Sequence, residues 1–155
     1  MARGQKSTTE QAGVKVKVKL ISSKARIPEY QTEGASAFDL HVWEGISCIP
    51  GAVTLVKTGI AVEVPPGYEV QIRPRSGLAI RNRIMVVNSP GTIDSDYRGE
   101  IVVGLLNMGL YPYAIEAGSR IAQGVLAPVA HAVFSEATEL TETVRGAGGL
   151  GSTGK

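Results

Sequence analysis

Within the 155-residue chain, VVNSPGTIDSDYRGEI, residues 86–101, is a turn-rich segment between apolar runs that carries Asn88, Asp94, Asp96, Tyr97, Arg98 and Glu100. Loops mounted on rigid strands are where catalytic groups concentrate. A carboxylate in such a loop can orient and deprotonate water, and Tyr97 can offer a flat apolar face to a sugar or a base. The letters IDSDYRG alone do not exclude a hairpin with polar turn residues and no chemistry. RPRSGLA, residues 73–79, adds a complementary set. Arg75 presents a fork of donors suited to phosphate oxygens, Ser76 a hydroxyl, and Gly77 an amide that no side chain shields. If 76–83 is a short helix, Ser76 falls at its N-cap, where free N–H groups face anions. A capped surface helix with a solvated Arg75 is the competing reading.

Three further stretches hold polar residues in apolar surroundings. In SAFDLHV, 36–42, Asp39 is the one charge inside an apolar strand, either exposed at an edge or anchoring the hydration shell of a metal. In GSRIAQG, 118–124, Arg120 and Gln123 interrupt an apolar run, to pair within a sheet or to reach a ligand. The last stretch, VRGAGGLGSTGK at 144–155, reads like two phosphate-binding fingerprints at once. Both fingerprints need a strand before the glycines and a helix after them. No helix is expected after Lys155, so neither scaffold is available.

The elements that must position these groups are short strands. VKVKVKLI, SAFDLHV, VTLVKTGIAVEV, YEVQIRP, IMVVN, EIVVGLLNM, YAIEA, IAQGVLAPV and AVFSE are alternating or β-branched, and Gly, Pro, Asn and Asp clusters separate them. Only SGLAIRNR, 76–83, has room for a helix. The expected fold is all-β, a jelly-roll-like sandwich or barrel with one short helix. Residues 1–13 read as a loose leader, 14–137 as the β domain, and 138–155 as a flexible arm.

Composition narrows the class. Cys48 is the only cysteine, so an internal disulfide and a Cys-rich zinc site are excluded, and His41 and His131 lie in no metal-ligand spacing. No apolar run approaches a membrane span and no signal pattern opens the chain, so the expected location is cytoplasmic, or nuclear or host-cytoplasmic for a viral source. Residues 1–26 carry seven Lys/Arg against one Glu, while the remainder carries nine against thirteen acids. Strict alternation in VKVKVKL makes its lysines the wet face of a strand, and nucleic-acid binding is not expected. Arg73, Arg75, Arg81 and Arg83 read as a focused positive patch suited to a small polyanion.

Taken in order, ASAFDLHV, RPRSGLA, NSPGTIDSDYRGE, GSRIAQ and RGAGGLGSTG resemble the five motifs of the trimeric dUTP pyrophosphatase (dUTPase) family, over about residues 14–154. The resemblance implies a β-rich jelly roll, a homotrimer with active sites at subunit junctions, and Mg²⁺-dependent hydrolysis of dUTP to dUMP and pyrophosphate. It makes Asp94 the group that activates the water attacking the α-phosphorus. Arg75, Ser76 and Gly77 would hold the phosphates, Gln123 would contact the α-phosphate region, and Asp39 would reach Mg²⁺ through water. Asn88, Thr92 and Ile93 would lie beside the uracil, selecting it largely through main chain, and Tyr97 would pack under the deoxyribose and exclude a ribose hydroxyl. The tail would close over the nucleotide of a neighbouring subunit. There its glycine-freed amides form a nest for the β- and γ-phosphates, and Arg145, Gly151, Ser152 and Thr153 lie around them.

The chain departs from the family pattern at Leu150, where a phenylalanine usually stacks on uracil, and more mildly at Ala37 and Ser119. Leucine covers the base without aromatic stacking, a loss on the order of 0.5–1.5 kcal/mol. The rival within the fold is a dCTP deaminase, which needs a glutamate placed to activate water at the base. A dUTPase-like module that docks a regulatory protein is the rival from another class.

Overall fold

The computed structural model describes residues 13–149, which form a β-sandwich of the jelly-roll type with one short helix. The strands are β1 (Lys17–Leu20), β2 (Phe38–His41), β3 (Ile46–Cys48), β4 (Val53–Lys57), β5 (Ile60–Glu63) and β6 (Tyr68–Pro74). After the helix α1 (Ser76–Asn82) come β7 (Ile84–Val86), β8 (Gly91–Ile93), β9 (Val102–Asn107), β10 (Tyr113–Ile115) and β11 (Arg120–Pro128). They pair antiparallel as β2-β11-β6-β8, β4-β9-β7, β1-β5 and β10-β3.

Period-two alternation sorts the faces. Val70 and Ile72 of β6 point into the core between Glu69, Gln71 and Arg73, and Val103, Leu105 and Asn107 of β9 do the same. With Leu40, Val56, Ile60, Ile84, Ile101 and Ile121, the apolar residues Val70, Ile72, Val103 and Leu105 make one cluster, each member contributing about 1.5–3 kcal/mol by leaving water. The buried Asn107 is satisfied throughout. Its Nδ2 donates to the carbonyls of Cys48 (2.8 Å) and Tyr111 (2.9 Å), and its Oδ1 accepts the Gly109 amide (2.8 Å). Lys15, Lys17 and Lys19 are exposed and Val16 and Val18 turn inward, as the alternation requires.

Four readings of the sequence need correction. VTLVKTGIAVEV is two strands, because Gly59 takes φ +70° and turns the chain between them. AVFSE, 132–136, is no strand; it is exposed and has no strand beside it among the described residues to bond. Ser76 is the first residue of α1 rather than its cap. The N-cap is Arg75, extended at φ −84°, ψ 129°, with no side-chain capping bond, since a guanidinium has no acceptor to offer the helix N–H groups. The four arginines do not act as one free patch. Arg73 donates to Gln71, Arg75 is ion-paired, Arg81 lies over Gly77, and Arg83 ends the helix in the left-handed region at φ 58°.

Candidate active site

The Asp94 loop is built by its turn residues. Asp94, Ser95 and Asp96 favour a tight turn, and the Tyr97 amide donates back to the Asp94 carbonyl at 3.2 Å. Arg98 Nη1 then donates to the carbonyls of Ser95 (2.7 Å) and Tyr97 (2.9 Å), folding its side chain against the turn. The Tyr97 hydroxyl donates to the Glu100 carbonyl at 2.9 Å, which fixes the ring. Among the described residues Asp94 is exposed and its carboxylate has no hydrogen-bond partner.

Strand β8 brings this loop to the edge of the sheet through the pairs Val70–Ile93, Gln71–Thr92 and Ile72–Gly91. Between the hairpin and β9 lies a cavity of about 240 Å³ bordered by Asn88, Thr92, Ile93, Asp94 and Tyr97, with Ile72 and Val86 contributing apolar wall. Gly91 is buried in it: a Cβ there would meet Asn88 Nδ2 at 3.2 Å and Ile72 Cβ at 3.5 Å. Five residues predicted beside a nucleoside therefore share one cleft, half apolar and half polar. This is the character of a pocket that takes a small ring compound.

A second cluster forms where β2, β11 and β6 run side by side. Register places Asp39, Gln123 and Arg73 in one row across the three strands. Asp39 is buried, with 7% of its surface exposed, and it holds two arginines: Oδ1 is 3.1 Å from Arg75 Nε, and Oδ2 is 3.1 Å from Arg120 Nη1. Arg75 Nη1 also donates to the Arg120 carbonyl (3.2 Å), and Gln123 Nε2 to the Pro74 carbonyl (2.9 Å). These bonds aim Arg75 and Gln123 from a fixed frame, next to Ser76 and Gly77 at the start of α1. Beyond Asp39, His41 has a buried Nδ1 without a partner among the described residues. Burial first, and then the Arg26 charge, push its pKa below 6.5.

Arg120 had two readings in the sequence, pairing within a sheet or reaching a ligand, and the structure shows it paired with Asp39. Its signal was an arginine at the head of an apolar strand; its partner, 81 positions away, was not legible. Glu100 was noticed in the loop but given no task, though it borders the cavity. Arg75, Ser76, Gly77 and Gln123 do not border it. Arg145 sits on the exposed 130–149 segment, its Nε donating to the Gly148 carbonyl at 2.8 Å. Leu150, Gly151, Ser152 and Thr153 lie outside the described residues.

Among the described residues no three His, Cys, Asp or Glu side chains gather to hold a metal. Asp39 has an arginine on each oxygen, yet a carboxylate oxygen accepts more than one hydrogen bond, so a metal-bound water can still be received. One carboxylate flanked by two guanidinium groups offers no set of direct ligands, so a cation here would have to be carried by an anionic ligand and reached by Asp39 through water.

Comparison with known proteins covers nearly the whole chain. A family model described as dUTPase matches residues 23–154. The deoxyuridine 5'-triphosphate nucleotidohydrolase of Nautilia profundicola is 54% identical over 92% of this chain and 100% of its own. The Helicobacter pylori (strain P12) protein of the same name is 51% identical over 91% and 97%. Among solved structures, the Staphylococcus bacteriophage 80alpha dUTPase with dUPNHPP superposes with a TM-score of 0.85 at 27% identity, over 91% of this chain and 99% of that one. No helix among the described residues is long and apolar enough to cross a membrane. With a cleft beside an aspartate unpaired among the described residues, an arginine clamp in the same sheet, and relatives matched almost end to end, the chain belongs to the dUTPase family.

Proposed function

We propose that this protein is a dUTP diphosphatase, hydrolysing dUTP to dUMP and pyrophosphate. The observation that carries the reading is the Asp94 carboxylate, free of any partner among the described residues, at a cleft walled by Asn88, Thr92, Ile93 and Tyr97. The uracil enters that cleft, where Asn88 and the backbone of Thr92 and Ile93 meet its edge. Main-chain donors and acceptors suit the task because their geometry is set by the β6–β8 pairing. The deoxyribose packs on the Tyr97 ring, whose hydroxyl is already committed to Glu100.

Asp94 orients a water and takes its proton as the oxygen attacks the α-phosphorus. The bond from that phosphorus to the bridging oxygen breaks, and pyrophosphate leaves with the electron pair. General-base help of this kind is worth about 10²- to 10⁴-fold. Arg75, Ser76 and Gly77 hold the phosphates, and Gln123 steadies the α-phosphate. Asp39 would help hold, through water, a Mg²⁺ ion carried by the triphosphate, and that ion when bound would supply charge neutralisation on the leaving group. Arg145, Leu150, Gly151, Ser152 and Thr153 complete the site from the tail.

The phosphate-holding residues do not border the nucleoside cleft of their own chain, which supports the homotrimer that the family resemblance implies, with sites that draw on neighbouring subunits. The deciding assay measures pyrophosphate release with Mg²⁺ from dUTP, dCTP, dTTP and UTP side by side. The expected result is turnover of dUTP alone, lost in Asp94→Asn by about 10²-fold or more. Ammonia release from dCTP, or an Asp94→Asn enzyme as fast as wild type, would overturn the reading.

A further inference from the structure

Glu100 borders the nucleoside cleft, and two different parts of it are engaged in two different bonds. Its backbone carbonyl accepts the Tyr97 hydroxyl at 2.9 Å. Its carboxylate Oε1 accepts the amide of Gly59 at 2.8 Å, in the turn between β4 and β5. One residue thus links the ring that forms the cleft wall to a turn 41 positions earlier in the chain.

That turn is held from every side. Thr58, 2% exposed, donates both its amide (3.2 Å) and its hydroxyl (2.7 Å) to the Ile101 carbonyl, and the Ile101 amide donates to Ile60 at 2.9 Å. The Gly59 carbonyl accepts the amides of Ile21 (2.7 Å) and Ser22 (3.4 Å). Gly59 itself has φ +70°, and a Cβ added to it would stand 2.7 Å from Ala25 Cβ and 2.9 Å from Trp43 Cδ1. Only glycine fits, so its amide is delivered to Glu100 from a nearly immovable frame.

From this geometry we infer that Glu100 is a positioning residue for sugar selection: its carboxylate, anchored on Gly59, sets where its carbonyl holds the Tyr97 ring. The inference rests on the reading of Tyr97 as the wall beneath the deoxyribose. Without the anchor, the 97–100 segment keeps its turn but gains freedom to slide, and the space that excludes a 2′-hydroxyl opens. The proton on the Gly59 amide needs only an oxygen acceptor, so a glutamine at position 100 retains the anchor and an alanine does not.

The test uses the full-length protein and the variants Glu100→Ala and Glu100→Gln, with dUTP and UTP as substrates. Glu100→Ala is expected to raise KM for dUTP roughly five- to tenfold, the size of one lost ordinary hydrogen bond, with kcat within about twofold. The ratio of UTP to dUTP kcat/KM should rise, and Glu100→Gln should restore both values. Two substrate-free readouts accompany these: exchange of the Gly59 amide, and emission of Trp43, the sole tryptophan. Both should change in Glu100→Ala and return in Glu100→Gln. A Glu100→Ala protein with wild-type KM and sugar preference, or a Glu100→Gln protein no better than it, overturns the inference. If wild type turns over no nucleotide, the dUTPase reading falls separately. Gly59 exchange that is then unchanged in Glu100→Ala also refutes the anchor.

Discussion

Asp39 clamps Arg75, with Oδ1 3.1 Å from Nε, at the point where three strands of the main sheet meet. The same carboxylate takes Arg120 on its other oxygen, so its removal strands two guanidinium groups at once. Breaking a fully buried pair costs about 3–5 kcal/mol. Here the arginine side chains are 28% and 43% exposed, so water recovers part of the loss. Asp39→Ala should cost about 1–3 kcal/mol by urea unfolding, and Arg75, freed from its frame, should bind triphosphate more weakly. A wild-type midpoint together with wild-type KM would show the clamp to be idle.

Gly124, on β11, faces Phe38 across the pairing with β2. A Cβ at that position would overlap the Phe38 ring, which in turn packs edge-on against Tyr30 at 5.8 Å between ring centroids. Gly124→Ala forces the ring off its rotamer and should destabilise the fold by about 1–3 kcal/mol. Pairing it with Phe38→Leu should recover part of that loss. Thermal melting of the two single variants and the double variant measures the coupling.

Cys48 is fully buried, and burial pushes its thiol above 9.0, offset in part by the neighbouring Thr54 hydroxyl, which favours the thiolate. Alkylation by iodoacetamide should therefore follow unfolding and stay slow in the native protein. The pH dependence has a definite sign. Above about pH 9 the unfolded chain loses the thiol proton while the folded chain keeps it, so stability falls with rising pH until the folded thiol also ionises. Cys48→Ala should lack that alkaline slope. Rapid native labelling at neutral pH would show the core to be open.

Leu150 lies outside the described residues, and its prediction comes from residue type alone. Leu150→Phe restores aromatic stacking on the uracil and should tighten nucleotide binding by about 0.5–1.5 kcal/mol, leaving kcat little changed. Titration with a non-hydrolysable dUTP analogue measures it. An unchanged Kd would mean that the tail does not cover the base.

The succession of short alternating strands was legible because burial on one face leaves a period of two in the letters, as in Val70 and Ile72 against Gln71 and Arg73. The end of that legibility is equally physical. Residues 132–136 carry a strand's letters but form none, because a strand needs a neighbour to bond and propensity cannot supply one. In the other direction, GTI at 91–93 is too short to signal a strand, yet β6 makes it one.

Residue types and their order by themselves determined the β class and the family, since strand periodicity and the five motifs are local in the letters; the role of Asp94 enters through that family resemblance. Only the tertiary structure decided that Asp39 holds Arg75 and Arg120, that Arg75 takes the cap position from Ser76, and that Glu100 ties Tyr97 to Gly59. Each of these rests on contacts or backbone angles between segments distant in the chain or on the exact geometry of a helix start. Such relationships depend on register and packing, which no local run of letters encodes.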